Sequence, residues 1–176
     1  MLAPAGNAAA ALAAFDAGAD AVYAGLVKFN ARERSENFDA DTLGRVIEYA
    51  HQLGRKVYVT LNTVIKEQEL GEVVRHLSQL AGLNPDAVIV QDLGVVWLLR
   101  EYFPQLGIHA STQMGIHNSA GLAMAQRLGV KRVIVERQVT LDELALIAPK
   151  SPVDLEMFVH GALCCSLSGQ CLFSSW

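Results

Sequence analysis

Short apolar runs rich in β-branched residues alternate along the chain with longer stretches in which apolar residues recur every three or four positions. Lys56-Val-Tyr-Val-Thr-Leu61, Ala87-Val-Ile-Val90, Ile108-His-Ala110 and Arg132-Val-Ile-Val135 are of the first kind and predict strands. Leu2 to Gly6 and Ala21 to Ala24 read the same way. A seventh strand is predicted over Asp154 to His160, with Leu155, Met157 and Val159 on one side and Glu156, Phe158 and His160 on the other. Between these runs the helical period takes over. Asn7 caps an alanine-rich helix to Ala17, stopped by Gly18, and Asp39 or Asp41 caps a second with Leu43, Val46, Ile47 and Ala50 on one face. Further helices are predicted near Glu69 to Ala81, Val95 to Tyr102 and Asn118 to Leu128. A last one runs to Ala148 from the capping box formed by Thr140 and Glu143.

Strands that alternate with helices and are apolar nearly throughout indicate a parallel sheet covered on both faces, hence an α/β fold. Two architectures satisfy that pattern, the TIM-like (β/α) barrel and the open doubly wound sheet. A dinucleotide-binding doubly wound sheet wants GxGxxG after its first strand, and Gly6-Asn-Ala-Ala-Ala-Ala lacks it, which favours the barrel. Seven strands leave an eight-stranded barrel one short. The expectation is therefore one (β/α)-barrel domain over residues 1–176, the N-terminal part of a longer chain, whose open strand edges would drive self-association of the fragment.

Composition narrows the setting. With 176 residues, 52% of them hydrophobic, the chain can bury a sizeable core. Its net charge of −4 supplies no bulk electrostatic grip on nucleic acid, so any RNA substrate would be held by parts outside this chain. No apolar window approaches the roughly 20 residues of a membrane helix. The start, Met1-Leu-Ala-Pro-Ala-Gly-Asn, lacks the basic segment of a signal peptide, and three clustered cysteines fit a reducing compartment, so a cytoplasmic location is expected.

In a parallel barrel the loops after the strands build the site. The polar residues there include Asn7, Arg32, Asn62, Gln91, Asp92, His109, Ser111, Gln113, Glu136, Arg137, Glu156 and His160. His109 and His160 are candidates to move protons near neutral pH, with Glu136 or Glu156 to orient or charge them. Arg32 and Arg137 suit a carboxylate or phosphate, and Asn62, Gln91 and Gln113 are candidate substrate contacts. Each has a plainer reading as a helix cap, a loop support or a core histidine, and the two arginines as partners of Glu36 or Glu136. His51, His76 and His117, on or beside helices, are expected to face solvent.

All three cysteines fall between Cys164 and Cys171, at the end of the seventh strand. Cys164 and Cys171 are seven apart around Gly169, enough chain to wrap a metal centre, and neither a zinc nor a thioredoxin CxxC is present. Zinc held by Cys164, Cys171 and His160, and inert packing of the thiols, remain open on spacing alone. A His160–Cys164 pair would need a third, orienting group to act as a thiol protease. HExxH and GxSxG are absent.

The pattern Glu156-x-Phe158-x-x-Gly161-Ala-Leu-Cys164-x4-Gly169-x-Cys171 resembles the signature of the collagenase-like peptidase family U32. Leu2-Ala-Pro-Ala-Gly-Asn7, Gly18-Ala-Asp-Ala-Val-Tyr-Ala-Gly25, Val59-Thr-Leu-Asn62, Val88-Ile-Val-Gln-Asp92 and His109-Ala-Ser-Thr-Gln113 are similar to that family's other blocks, in order. The resemblance implies a [4Fe-4S] cluster with Cys164 and Cys171 as two of its four ligands and Cys165 as a spectator. It also implies oxygen-independent hydroxylation. The branch most similar at Val159 to Cys164 and Ser168 to Cys171 acts on a cytidine of large-subunit ribosomal RNA, with prephenate as the oxygen source. Transfer-RNA uridine, ubiquinone precursors and peptide bonds are the alternative substrates within the family.

Overall fold

The computed structural model describes residues 1–32, 36–161 and 166–168. It divides into two compact units, Met1–Gly107 and Ile108–Trp176.

The first unit alternates β1 (Leu2–Pro4), α1 (Ala8–Asp16), β2 (Ala21–Gly25), α2 (Ala40–Gln52), β3 (Lys56–Leu61), α3 (Leu70–Leu83), β4 (Ala87–Val90) and α4 (Leu93–Tyr102). Each strand lies parallel to the one before it, in the order β1-β2-β3-β4. A doubly wound sheet would have turned back to place its fourth strand beside the first. Here β4 lies beside β3, with Val59 level with Val88, so the barrel-type winding holds.

The strand register explains how the core forms. Val22, Ala24, Val57, Val59, Leu61, Val88 and Val90 alternate onto one face and are buried, with α1 against β1 and β2 and α2 against β3. The helices answer with Leu43, Ile47, Leu77, Leu80 and Leu99, all essentially inaccessible. Each such leucine contributes about 1.5–3 kcal/mol by leaving water. The opposite strand face carries Tyr23 beside Tyr58 and Thr60 beside Ile89, with Tyr23 and Thr60 only half-buried.

The second unit contains β5 (Ile108–Ala110), α5 (Ser119–Arg127), β6 (Arg132–Ile134), α6 (Leu141–Ile147) and β7 (Asp154–Glu156), with parallel strands in the order β5-β6-β7. Ala110 and Val133 share one buried face, while His109, Arg132 and Asp154 stand level on the other. The fold class is thus α/β of the TIM-like barrel type, with seven parallel strands among the described residues.

The caps follow the sequence closely. The Asn7 side chain accepts from the Ala10 amide at 2.9 Å, Asp39 from Thr42 at 2.7 Å and Asn118 from Gly121 at 2.9 Å. Thr140 and Glu143 form the expected reciprocal box.

One strand is shorter than its pattern. The alternation predicts Asp154 to His160, yet β7 ends at Glu156, because β6 stops at Ile134 and the last rung is the Val135 amide on the Glu156 carbonyl at 2.9 Å. Past that point the Glu136 amide turns away to the Ile116 carbonyl, so β7 loses this neighbour. Phe158 and His160 are consequently exposed loop residues. Among the described residues no helix is long and apolar enough to cross a membrane.

Candidate functional site

In the first unit the strand-end polar residues organise loops. Buried Asn30 donates from Nδ2 to the Leu26 carbonyl and, at 3.2 Å, to Asn37 Oδ1, while its own Oδ1 takes the Arg32 amide at 2.8 Å. Asn62, at the end of β3, accepts the Ala31 amide at 3.0 Å. Its side chain therefore ties the β2–α2 loop to the strand end. Gly25 is needed where this loop leaves β2, since a Cβ there would stand 2.9 Å from Asn30 Cγ. The same loop is anchored to α3 through a Lys28–Glu72 ion pair and through Phe29, whose ring meets His76 edge-on at 5.6 Å. His76 therefore does not face solvent as expected. Its Nε2 is shielded, and burial holds its pKa below the usual imidazole value. His51, by contrast, is exposed and meets Asp86 at 3.1 Å, and exposed His117 approaches the Gly115 carbonyl at 2.7 Å. Arg32 is exposed and Gln91 half-buried. Asp92 caps α4 through the Gly94 and Val95 amides, at 2.7 and 3.1 Å, and takes the Ile65 amide at 3.1 Å.

The second unit holds the denser polar constellation. Glu136, just past β6, is 3% exposed, and its carboxylate accepts the Ser168 amide at 2.6 Å and also the Arg137 amide. Burial by itself would raise its pKa, but hydrogen bonds from the Ser168 amide and hydroxyl and from the Arg137 and Gln138 amides outweigh it and hold the carboxyl below the usual range. Ser168 is itself buried, and its hydroxyl lies 3.4 Å from Thr112 Oγ1, which donates to the Val135 carbonyl at 3.2 Å. Gln138 Nε2 donates to the Ser166 carbonyl at 3.1 Å, and the Arg137 guanidinium stands 5.6 Å over the Phe158 ring.

The remaining candidates sort by this geometry. His109 is buried in the middle of β5, level with Arg132. Glu156 lies 3.7 Å from Arg132, which also holds Asp154 at 3.1 Å; burial pushes the Glu156 carboxyl up, and Arg132 offsets only part of that. Gln113 is tied to Ser111 within the turn after β5, at 3.3 Å. His160 is exposed beside Gly161. Cys164 and Cys171, like Cys165, lie outside the described residues.

The sequence offers Glu136 or Glu156 as the group that orients or charges His109 or His160; in the structure the Glu136 carboxylate accepts from Ser168 and from its own loop. Thr112, Gln138, Phe158 and Ser168 join this constellation without being candidates on sequence. Thr112, Phe158 and Ser168 belong to the motifs that carry the family resemblance, but their contacts span 21 to 56 positions that no local pattern encodes.

The strand-end polar residues of this α/β protein lie on the βα loops, the face on which (β/α) barrels as a class build their sites. The model of peptidase family U32 matches residues 6–176, so the chain belongs to that family. It is 40% identical over its whole length to the tRNA hydroxylation protein P of Escherichia coli, and 37% identical over 99% of its length to that organism's 23S rRNA 5-hydroxycytidine synthase. It is also 32% identical over 99% of its length to a collagenase of Porphyromonas gingivalis. The chain spans 39%, 26% and 44% of those three relatives. The identities do not single out the ribosomal branch that the terminal motif suggested. Among solved structures a U32 peptidase superposes with a TM-score of 0.70 at 14% identity, covering 89% of this chain and 66% of that one, which supports the fold.

Proposed function

We propose that the protein carrying this chain hydroxylates a pyrimidine base of RNA, transfer RNA in the first instance. The observation that carries the reading is the 40% identity to tRNA hydroxylation protein P, which extends over the whole of this chain. A [4Fe-4S] cluster held in part by Cys164 and Cys171 belongs to the same proposal, since clustered thiolates are the donors such a cluster takes. When bound, it supplies electron-transfer or Lewis-acid capacity that the side chains of this chain lack. This chain's own residues bind and orient. Glu136 and Gln138 hold residues 166–168 in place, Arg137 and Arg32 are the guanidinium groups suited to an anionic co-substrate such as prephenate, and Glu156 is the carboxyl most inclined to keep a proton.

The test is nucleoside mass spectrometry of transfer and ribosomal RNA from a strain lacking the full-length gene. One hydroxylated pyrimidine should disappear from transfer RNA and return with the wild-type gene but not with Cys164→Ala/Cys171→Ala. Loss from ribosomal RNA alone would move the substrate to the other branch, and intact hydroxylation of both RNAs would overturn the reading. Gelatin cleavage by the purified full-length protein, abolished by Cys164→Ala, would favour the peptidase instead.

A further inference from the structure

Asn62 and Gln91 come directly after β3 and β4, one residue past the last register pair of those strands, Leu61 with Val90. Leu61 and Val90 are fully buried on the helix-covered face, so the next residue of each strand turns to the opposite face, level with its neighbour and one layer above Thr60 and Ile89. Two half-buried carboxamides are thus set side by side. One of them is already aimed. The Ala31 amide can be met only by an oxygen, so its 3.0 Å bond turns Asn62 Oδ1 toward the β2–α2 loop and leaves the Nδ2 protons, which have no partner among the described residues, on the other side. The Gln91 side chain makes no hydrogen bond among the described residues, so both ends of its amide are available. An amide half-removed from water with nothing to bond costs stability that an apolar side chain in the same place would not. A carboxamide carries no charge and does not titrate, so the pair suits neither a phosphate nor a proton transfer. What it matches is a flat edge of donors and acceptors.

We infer that Asn62 and Gln91 read the hydrogen-bonding edge of a pyrimidine base, a contact that deepens, and rests on, the reading of this protein as a hydroxylase of RNA pyrimidines. Uracil and cytosine both present O2 as an acceptor, which the fixed Asn62 donor meets. Gln91 then pairs with ring position 3 and the exocyclic group at position 4. In uracil its oxygen accepts from N3–H while its NH2 donates to O4; in cytosine the amide turns over, donating to N3 and accepting from the N4 amino group. A base splayed out of a single strand exposes this edge. A two-bond amide contact of that kind discriminates between base edges by about 10–100-fold.

The experiment titrates the full-length protein with free uridine, cytidine and 3-methyluridine and measures each Kd by saturation-transfer NMR. Uridine and cytidine should bind, and 3-methyluridine, in which a methyl group replaces N3–H, should bind about 10–100-fold more weakly. In Gln91→Ala uridine should fall to the level of 3-methyluridine, because the group that told them apart is gone. Asn62→Asp keeps an acceptor for the Ala31 amide but turns an oxygen toward O2, so it should weaken uridine and cytidine alike by about 10–100-fold. Should Asn62→Asp fail to fold, Gln91→Ala decides, since its side chain holds no other part of the described structure in place. Equal binding of uridine and 3-methyluridine by the wild type, uridine binding within about twofold of wild type in Gln91→Ala, or no binding of either natural nucleoside would overturn the base-reading pair. The outcomes separate from those for the reaction. The expected nucleoside pattern in a protein whose deletion leaves RNA hydroxylation intact would keep the base site and sink the hydroxylase, whereas a lost RNA hydroxyl group with unselective nucleoside binding would sink the base site alone.

Discussion

Two carboxylates of the second unit have been moved in opposite directions by their surroundings. Glu136 gathers amide donors and is held below the usual carboxyl value; Glu156, half-buried with only Arg132 at 3.7 Å to offset the loss of water, is held above it. Environments that push two acids apart set up one as a fixed anion and the other as a proton holder. Their consequences for stability have opposite signs. The contribution of Glu136 is present above the ordinary carboxyl range and fades as pH falls through its depressed folded value. Glu156 in the fold binds its proton more tightly than in the unfolded chain, so its charge costs stability at neutral pH, and that cost is relieved as pH falls through the raised folded value toward the ordinary one. Glu156→Gln should therefore be more stable than wild type in urea melts at pH 8, with Arg132 still paired to Asp154. The advantage should shrink as the pH approaches the ordinary value of 4.5. A difference that is constant across that range, or that grows on acidification, would show that burial does not raise the Glu156 carboxyl.

At the scale of elements, the strand-end polar residues divide into those that act on their own helix and those that reach across loops, and Asp92 does both. It caps α4 and also fixes the β3–α3 loop through the Ile65 amide. Asp92→Ala should cost about 1 kcal/mol for the lost cap and about another 1–2 kcal/mol for the orphaned Ile65 amide. Asp92→Asn, whose one acceptor oxygen can keep the cap while its NH2 group faces the Ile65 amide, should lose only the latter about 1–2 kcal/mol in thermal or urea unfolding. If the two substitutions cost the same, the contacts in the structure do not describe its role. Local devices of this kind were legible in the sequence. Asn7, Asp39, Asn118 and the Thr140–Glu143 box stand three residues from the amides they serve, and β3, β4 and β5 begin and end where their β-branched runs do. The end of β7 was not legible, because its alternation runs on through His160 while the neighbour that would support it stops at Ile134. The Glu136–Ser168 bond was hidden for a related reason. Its partners are 32 positions apart, and a glutamate after a strand carries no mark of where its carboxylate will go. His76 misled because helical spacing assigns a face, not what a distant loop will lay upon it; Phe29 covers it from 47 positions away.

For the molecule as a whole, charge and family membership have to be reconciled. Relatives named for RNA modification match this chain along its full length, yet it carries 14 basic residues against 18 acidic ones. Affinity for RNA that does not depend on base identity comes mainly from neutralising phosphates and releasing counterions, and a net charge of −4 works against that. The chain corresponds to 39% of tRNA hydroxylation protein P, so the proposed substrate's backbone contacts can be supplied by sequence that this chain does not include. The strand-end site would then recognise a single base brought to it, since modifying enzymes act on a nucleotide taken out of its stack. The 176 residues alone should accordingly give no retention of transfer RNA in a filter-binding or mobility-shift assay at about 0.15 M salt. The full-length protein should bind and weaken steeply as salt rises, with a log–log slope equal to about 0.7 times the number of phosphates neutralised on a single strand. Tight, salt-sensitive binding by the 176 residues alone would place the phosphate contacts within this chain and would shift attention to Arg32 and Arg137 as backbone contacts rather than holders of a small anion.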